Sequence, residues 1–218
     1  MHPTRVTAPP TAKPRLRGRL HLVGAVLVAA SAPALWALAV DAGLRVGVTV
    51  YVLGVTAMLA TSAAYHVPDW PAEIKRHMRQ ADHSAIFLGV AGTYTPLVLA
   101  VMSPRWGALL LTTVWVGALA GIVVCNVFQG APTWARTLPY IVLGWIGVLA
   151  LPAFWGFAPT VALLVIAGGI VYTAGAVVYA RRRPDPWPAT FGHHEVFHAL
   201  TLLAIALHWA AVALAVSA

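Results

Sequence analysis

The sequence predicts an all-α membrane protein of seven transmembrane helices, with its N-terminus cytoplasmic and its C-terminus outside. Three observations predict it. The 218 residues are 60% hydrophobic and only 9% charged, against about 25% charged in soluble domains, and mean hydropathy is +0.80. Uncharged runs long enough to span a bilayer recur along the chain. The basic residues fall in the gaps between those runs, almost all of them in alternate gaps. So few charges cannot cover a water-soluble core, and so apolar a chain does not stay disordered; both classes are excluded.

A helix needs about 20 apolar residues to cross a hydrocarbon core of about 30 Å. Runs of that length occur at 20–40, 46–69 (less its last few residues), 83–104, 106–135 and 196–218. The stretch 137–180 is uncharged throughout. As one helix it would measure about 66 Å, twice the bilayer, so it must fold back. The break is expected between Pro152 and Pro159, where Trp155 and Phe157 suit an interfacial turn. The expected spans are therefore 20–42, 46–66, 81–102, 106–128, 135–155, 159–180 and 190–216. Residues 1–19 form a flexible basic cytoplasmic tail and 20–218 one transmembrane domain. The first apolar run is of full spanning length and more follow it, so it reads as a retained helix rather than a cleaved signal.

Orientation follows from charge. Arg5, Lys13, Arg15, Arg17 and Arg19 precede the first span, and Lys75, Arg76, Arg79, Arg136 and Arg181–Arg183 fall on the same side. Only Arg45 and Arg105 fall on the other. By the positive-inside rule the first side is cytoplasmic, as expected for a multi-pass protein of the plasma membrane. A formal charge of +8 would suggest nucleic acid in a soluble chain. Here its placement reads as topology control and contact with anionic lipid, with no nucleic-acid partner. Cys125 is the single cysteine, so no intrachain disulfide forms, and within an apolar run it acts as a small hydrophobe.

Ionisable groups inside spans are costly and mark function by default. The second span ends in Ser62 and His66, the third opens with Asp82-His83-Ser84, and the seventh with His193-His194-Glu195-Val196-Phe197-His198. Because the second span runs opposite to the third and seventh, all three clusters fall in the cytoplasmic leaflet. His194 and His198, four apart, share one helix face with Cβ atoms about 5–6 Å apart. Such a pair can grip a transition metal, and a catalytic zinc usually takes three protein ligands and keeps one position open. His66 is the expected third ligand, at matching depth. Ser62 lies one turn deeper on the same face, and Asp82 can orient the metal's water or accept its proton. His83 and His193 point about 100° away from their neighbours in the cluster, as packing or headgroup contacts. His208 lies about 15 Å further along its helix than His198. His21 reads as interfacial, and His2 and His77 as solvent-facing.

His194–His198 also match H-E-x-x-H, which in a metalloprotease makes the Glu a general base. The metzincin extension needs Gly at 201 and His at 204, where this chain has Thr201 and Ala204. No acid follows Glu195. An intramembrane protease therefore requires His66 or Asp82 to complete its metal site.

Taken together, Ser62-x3-His66, Asp82-His83-Ser84-Ala85-Ile86-Phe87 with Ala91-Gly92-Thr93-Tyr94-Thr95-Pro96, and Phe191-Gly192-His193-His194-Glu195-Val196-Phe197-His198 resemble the hemolysin-III family. That family is the bacterial branch of the progestin and adiponectin receptor superfamily, related to alkaline ceramidases. The resemblance covers nearly the whole chain after the basic tail. It implies seven helices and a zinc ion near the cytoplasmic face. The ligands would be His66, His194 and His198, with Asp82 reaching the metal through water and Ser62 nearby. The family name implies pore formation, but no amphipathic stripe of charges runs through the spans.

The expected activity is zinc-dependent hydrolysis of a lipid amide or ester. Asp82 would take the proton from water, Ser62 would hydrogen-bond that water or the developing oxyanion, and the lipid would enter laterally from the membrane. The rival is a non-enzymatic receptor or regulator of membrane state in which zinc is structural. Three further features read as packing. Pro96 kinks the third span beside Thr hydroxyls that can bond backbone carbonyls. Gly168-Gly169 and Gly175 permit close helix approach. Asn126 and Gln129 lie at the interface.

A reporter fused after Ala218 is expected to read as external, and one inserted in the 69–79 connection as cytoplasmic. A cytoplasmic C-terminus would show that a span was miscounted.

Overall fold

The computed structural model describes residues 13–127 and 133–218, without the side chains of 133–136. Arg5, Gln129 and the side chain of Arg136 lie outside the described residues. The helices are α1 (Arg19–Leu38), α2 (Ala42–His66), α3 (Ala72–Val101), α4 (Pro104–Val127), α5 (Thr133–Trp145), α6 (Leu151–Phe157), α7 (Pro159–Arg181) and α8 (His193–Val216), with a 3₁₀ turn at Ile146–Ala150 between α5 and α6. Seven segments are long and apolar enough to cross a membrane: α1 to α4, Thr137–Phe157, α7 and α8. The fold is a seven-helix membrane bundle. Among the described residues the only strand-like pairing is a bridge between Trp187 and Phe191.

The helix starts are written locally. The Asp41 carboxylate accepts from the Leu44 N–H at 2.9 Å, a side-chain cap on α2. Pro159 sits at the first position of α7, where its missing N–H costs nothing. Ala158, extended at φ −159° and ψ 118°, makes the whole fold-back, so the break expected across 152–159 narrows to one residue. Trp155 and Phe157 remain in α6. The third helix starts at Ala72, well before the apolar run, because polar residues continue a helix beyond the hydrocarbon; Pro71 and Glu73 mark its first turn.

The 3₁₀ turn leaves backbone groups unpaired at membrane depth. One side chain answers for three of them. The Tyr94 hydroxyl donates towards the Leu143 and Gly144 carbonyls, 3.1 and 2.6 Å away, and accepts from the Gly147 N–H at 2.6 Å. Beside it, Thr93 and Thr95 hydroxyls bond the Gly89 and Ala91 carbonyls around Pro96. That is the packing role expected of this segment.

Helices α2 and α3 form the most extensive pair, followed by α7 with α8. Tyr51, Val55, Leu59, Phe87, Ala91 and Val98 fill the core, while Leu53, Leu109, Val116, Leu163 and Leu203 face outward, as lipid-facing side chains do. Gly54 permits the α2–α3 approach: a Cβ there would lie 2.7 Å from the Leu88 carbonyl oxygen. Gly168 also meets expectation, since a Cβ would strike His208. Gly169 does not: open space surrounds it, and it lines an internal cavity instead.

The starts of α1, α3 and α8 and the ends of α2 and α7 lie at one end of the bundle, the basic end. Residues 13–16, assigned to the tail by sequence, are held there. Lys13 Nζ donates to the Val67 and Pro68 carbonyls and pairs with Asp69 at 3.1 Å. The Arg15 and Leu16 N–H groups bond the Ala189 and Thr190 carbonyls. Arg45, at the opposite end, lies over the Trp36 ring at 4.6 Å.

Gly54→Ala is expected to lower thermal stability by about 1–3 kcal/mol, since the α2 and α3 backbones must separate. Gly156→Ala, with nothing within 4 Å of the added methyl, serves as the neutral control. Unfolding in detergent followed by circular dichroism distinguishes them; equal melting curves would disprove the close-approach argument.

Candidate metal centre

Helix α8 opens at Gly192 because its third residue reaches back: the Glu195 carboxylate accepts from the Gly192 N–H at 2.9 Å. Asp185 accepts from the His193 N–H at 2.7 Å. With this first turn fixed, His194 and His198 project from one face towards the last turn of α2, where His66 sits. The three rings gather closely: centroids are 4.5 Å apart for His194–His198, 4.6 Å for His66–His194 and 5.2 Å for His66–His198.

The nitrogens fit a metal. His66 Nε2 and His194 Nε2 are 3.1 Å apart, and one donor atom from each histidine lies within 4.8 Å of the others. Three imidazoles on a tetrahedral zinc, at about 2.0–2.1 Å each, place their nitrogens about 3.4 Å apart. His198 is 1% exposed, and its Nδ1 has no hydrogen-bond partner. Buried polar atoms are rarely left so, and one metal ion satisfies lone pairs that three crowded imidazoles cannot satisfy for one another.

Around the histidines lie the two oxygen groups expected from sequence. Asp82 Oδ2 is 3.8 Å from His66 Nε2, and Ser62 lies one turn before His66 on the same face of α2. Both are buried. The structure thus brings together all five residues singled out in the sequence: Ser62, His66, Asp82, His194 and His198. His193 and His208 stay apart from the donor set. His193 turns to Asp185, and His208 bonds the Val165 carbonyl at 3.2 Å, far down α8.

One histidine was misjudged from sequence, and one acid of the motif has a structural role. His21 is not interfacial but 4% exposed; its ring stacks on His198 at 3.7 Å with 5° between planes, and its Nδ1 lies 2.8 Å from Ser62 Oγ. It stands near the start of α1, at the same end as Ser62, so the depth argument that selected His66 applied equally to it. Glu195 is the acid of the first turn of α8. It is fully buried and paired with Arg17 Nε at 2.5 Å. With one oxygen on Gly192 and the other on Arg17, its carboxylate is committed, which removes the base that the H-E-x-x-H reading requires. Asn126 is also tied inward, donating to Ser84 Oγ at 2.9 Å rather than facing only the interface.

The centre opens onto a cavity of about 810 Å³. Arg17, Lys75 and Arg79 line its mouth, the histidines and Asp82 its waist, and Leu97, Phe154 and Val165 its deep end.

The family model described as haemolysin-III related matches residues 11–209. A hemolysin-3 of Bacillus cereus is 31% identical over 189 residues, covering 84% of this chain and 82% of that protein. A hemolysin-3 homolog of Bacillus subtilis (strain 168) is 34% identical over 122 residues, 56% of this chain and 54% of that one. A heptahelical transmembrane protein, ADIPOR2, of Oryza sativa subsp. japonica is 30% identical over 188 residues, 75% and 79% of the two chains, which supports the link to the progestin and adiponectin receptor superfamily. With its seven spans and its histidine cluster at one end, the chain belongs to the haemolysin-III-related family of multi-pass plasma-membrane proteins.

Proposed function

We propose that the protein is a zinc-dependent hydrolase of a lipid amide or ester. The observation that carries this reading is the placement of three metal-fitting histidines and a buried carboxylate at the waist of a cavity whose far end is apolar. His66, His194 and His198 would hold the ion. When bound, zinc would polarise the carbonyl and lower the pKa of water towards about 7.

The chain's own residues supply the rest. Asp82 Oδ2 takes the proton from the attacking water, a role worth about 10²–10⁴-fold in rate. The Ser62 hydroxyl, fixed by His21 Nδ1, bonds the attacking water or the developing oxyanion. The stacked His21 ring holds His198 in plane. Leu97, Phe154 and Val165 shelter an acyl chain and keep water from the deep end. Lateral entry from the membrane suits a substrate that never leaves the lipid phase.

A receptor or regulator with a structural metal is favoured by one distance. At 3.8 Å from His66 Nε2, the Asp82 carboxylate stands near enough to complete a four-ligand, closed shell. The two readings part on one variant. Asp82→Asn keeps the metal and loses hydrolysis if the carboxylate is the base; it loses metal affinity if the carboxylate is the fourth ligand.

Protein purified without chelator is expected to hold about one zinc per chain, lost together with thermal stability in His194→Ala and His198→Ala. Equal metal content in wild type and both variants would sink the site.

Glu195→Gln is expected to keep the metal but to destabilise the fold by about 3–5 kcal/mol, because Arg17 loses a buried partner. A variant as stable as wild type, but inactive on lipid amides and esters, would return Glu195 to a catalytic role.

A further inference from the structure

The wall of the cavity has a gradient that specifies more than an acyl chain. Along α3, Lys75, Arg79, Asp82, Ile86, Val90 and Leu97 all line it, at the three-, four- and seven-residue spacing of one helix face. At 1.5 Å per residue, Arg79 lies about one turn above Asp82, Lys75 about 10 Å above it, and Leu97 about 22 Å below. Two cations, a carboxylate at the histidines and then an apolar stripe succeed one another along a single face.

The cations at the mouth are not equivalent. Lys13 is paired with Asp69, and Arg17 with Glu195. Asp185, a further acid on the wall, is engaged by His193. Lys75 and Arg79 take part in no ion pair among the described residues, yet both face the cavity. Their neighbour Arg76 does not line it. Topology control needs only charge near the membrane and is indifferent to helix face; it does not account for two unpaired cations on the face that continues into the site.

We propose that the cavity takes a lipid whose headgroup carries a phosphate, held by Lys75 and Arg79 above the histidines, with the acyl chain along Ile86, Val90 and Leu97. The placement of the carbonyl at the histidines rests on the hydrolase reading; the headgroup site does not. A phosphate there gains charge-assisted hydrogen bonds from an ammonium and a guanidinium at once, and the cavity volume lies within the range of about 300–1,000 Å³ usual for small-ligand sites.

The test is lipid binding, without turnover. Full-length protein in neutral-lipid nanodiscs is offered the non-hydrolysable oleyl-ether analogues of lysophosphatidic acid or of monooleoylglycerol, which share a chain and differ in the phosphate, and bound lipid is read by native mass spectrometry beside metal content. Wild type is expected to prefer the phosphate-bearing lipid by about tenfold or more. Lys75→Gln with Arg79→Gln removes the preference, Arg76→Gln keeps it, and Val90→Trp reduces retention of both lipids by filling the chain path. Equal retention of the two lipids by wild type overturns the proposal, as does a preference that survives the double substitution or that Arg76→Gln abolishes equally. Displacement of the lysophosphatidic acid analogue by millimolar inorganic phosphate would assign the site to the free anion and overturn the lipid assignment. A preserved preference in a protein that hydrolyses no lipid removes the hydrolase reading alone.

Discussion

The ion pair between Arg17 and Glu195 is the interaction on which the site depends. Glu195 is wholly enclosed, and a carboxylate in such surroundings persists only when matched by charge and hydrogen bonds. Arg17 supplies the charge, and the Gly192 N–H the second bond. The same carboxylate therefore sets where α8 begins and fastens the segment before α1 across the end of the bundle. His194 and His198 stand on either side of Glu195 in sequence, so whatever fixes its rotamer and helical register fixes theirs. A motif that suggests catalysis by Glu195 is here an anchor for its flanking histidines.

A second constraint explains why a cavity exists at all. Inside a bilayer every backbone group must find a partner within the protein, which favours straight, closely packed helices and leaves little room for ligands. The fifth span departs from that rule at Ile146–Ala150, and Tyr94 makes the departure tolerable by bonding three backbone groups with one hydroxyl. Residues from both helices of this loosened span, Gly144 and Phe154 among them, line the cavity. The Tyr94-Thr95-Pro96 segment is thus structural in its bonds and functional in what those bonds permit.

Within the cavity, the chemistry changes with depth as it does along a lipid molecule. In the proposed complex, charge at the mouth would meet the headgroup, the histidines and Asp82 the carbonyl linkage, and the apolar end the acyl chain. His21 joins these levels. It stacks on His198 and hydrogen-bonds with Ser62, so α1 packs into the centre rather than merely tethering the chain to the membrane.

The sequence by itself determined the seven spans, the clustering of basic residues at one end and the common depth of Ser62, His66, Asp82, His194 and His198. Each of these is a one-dimensional property: apolar length against bilayer thickness, charge against alternate loops, and depth along helices of known direction. The rotation of each helix about its axis is not, because it depends on which neighbours it packs against. Only the tertiary structure could therefore decide that His21 turns inward to His198, that Glu195 turns to Arg17 and away from the donor set, and that Gly169 faces a cavity while Gly168 faces a helix. The boundary of the tail was hidden for the same reason. Charge and proline describe residues 13–17 as part of a flexible tail, but the carbonyls of residues 67, 68, 189 and 190 and the buried carboxylate of Glu195 come from distant parts of the chain, and only folding brings them within reach.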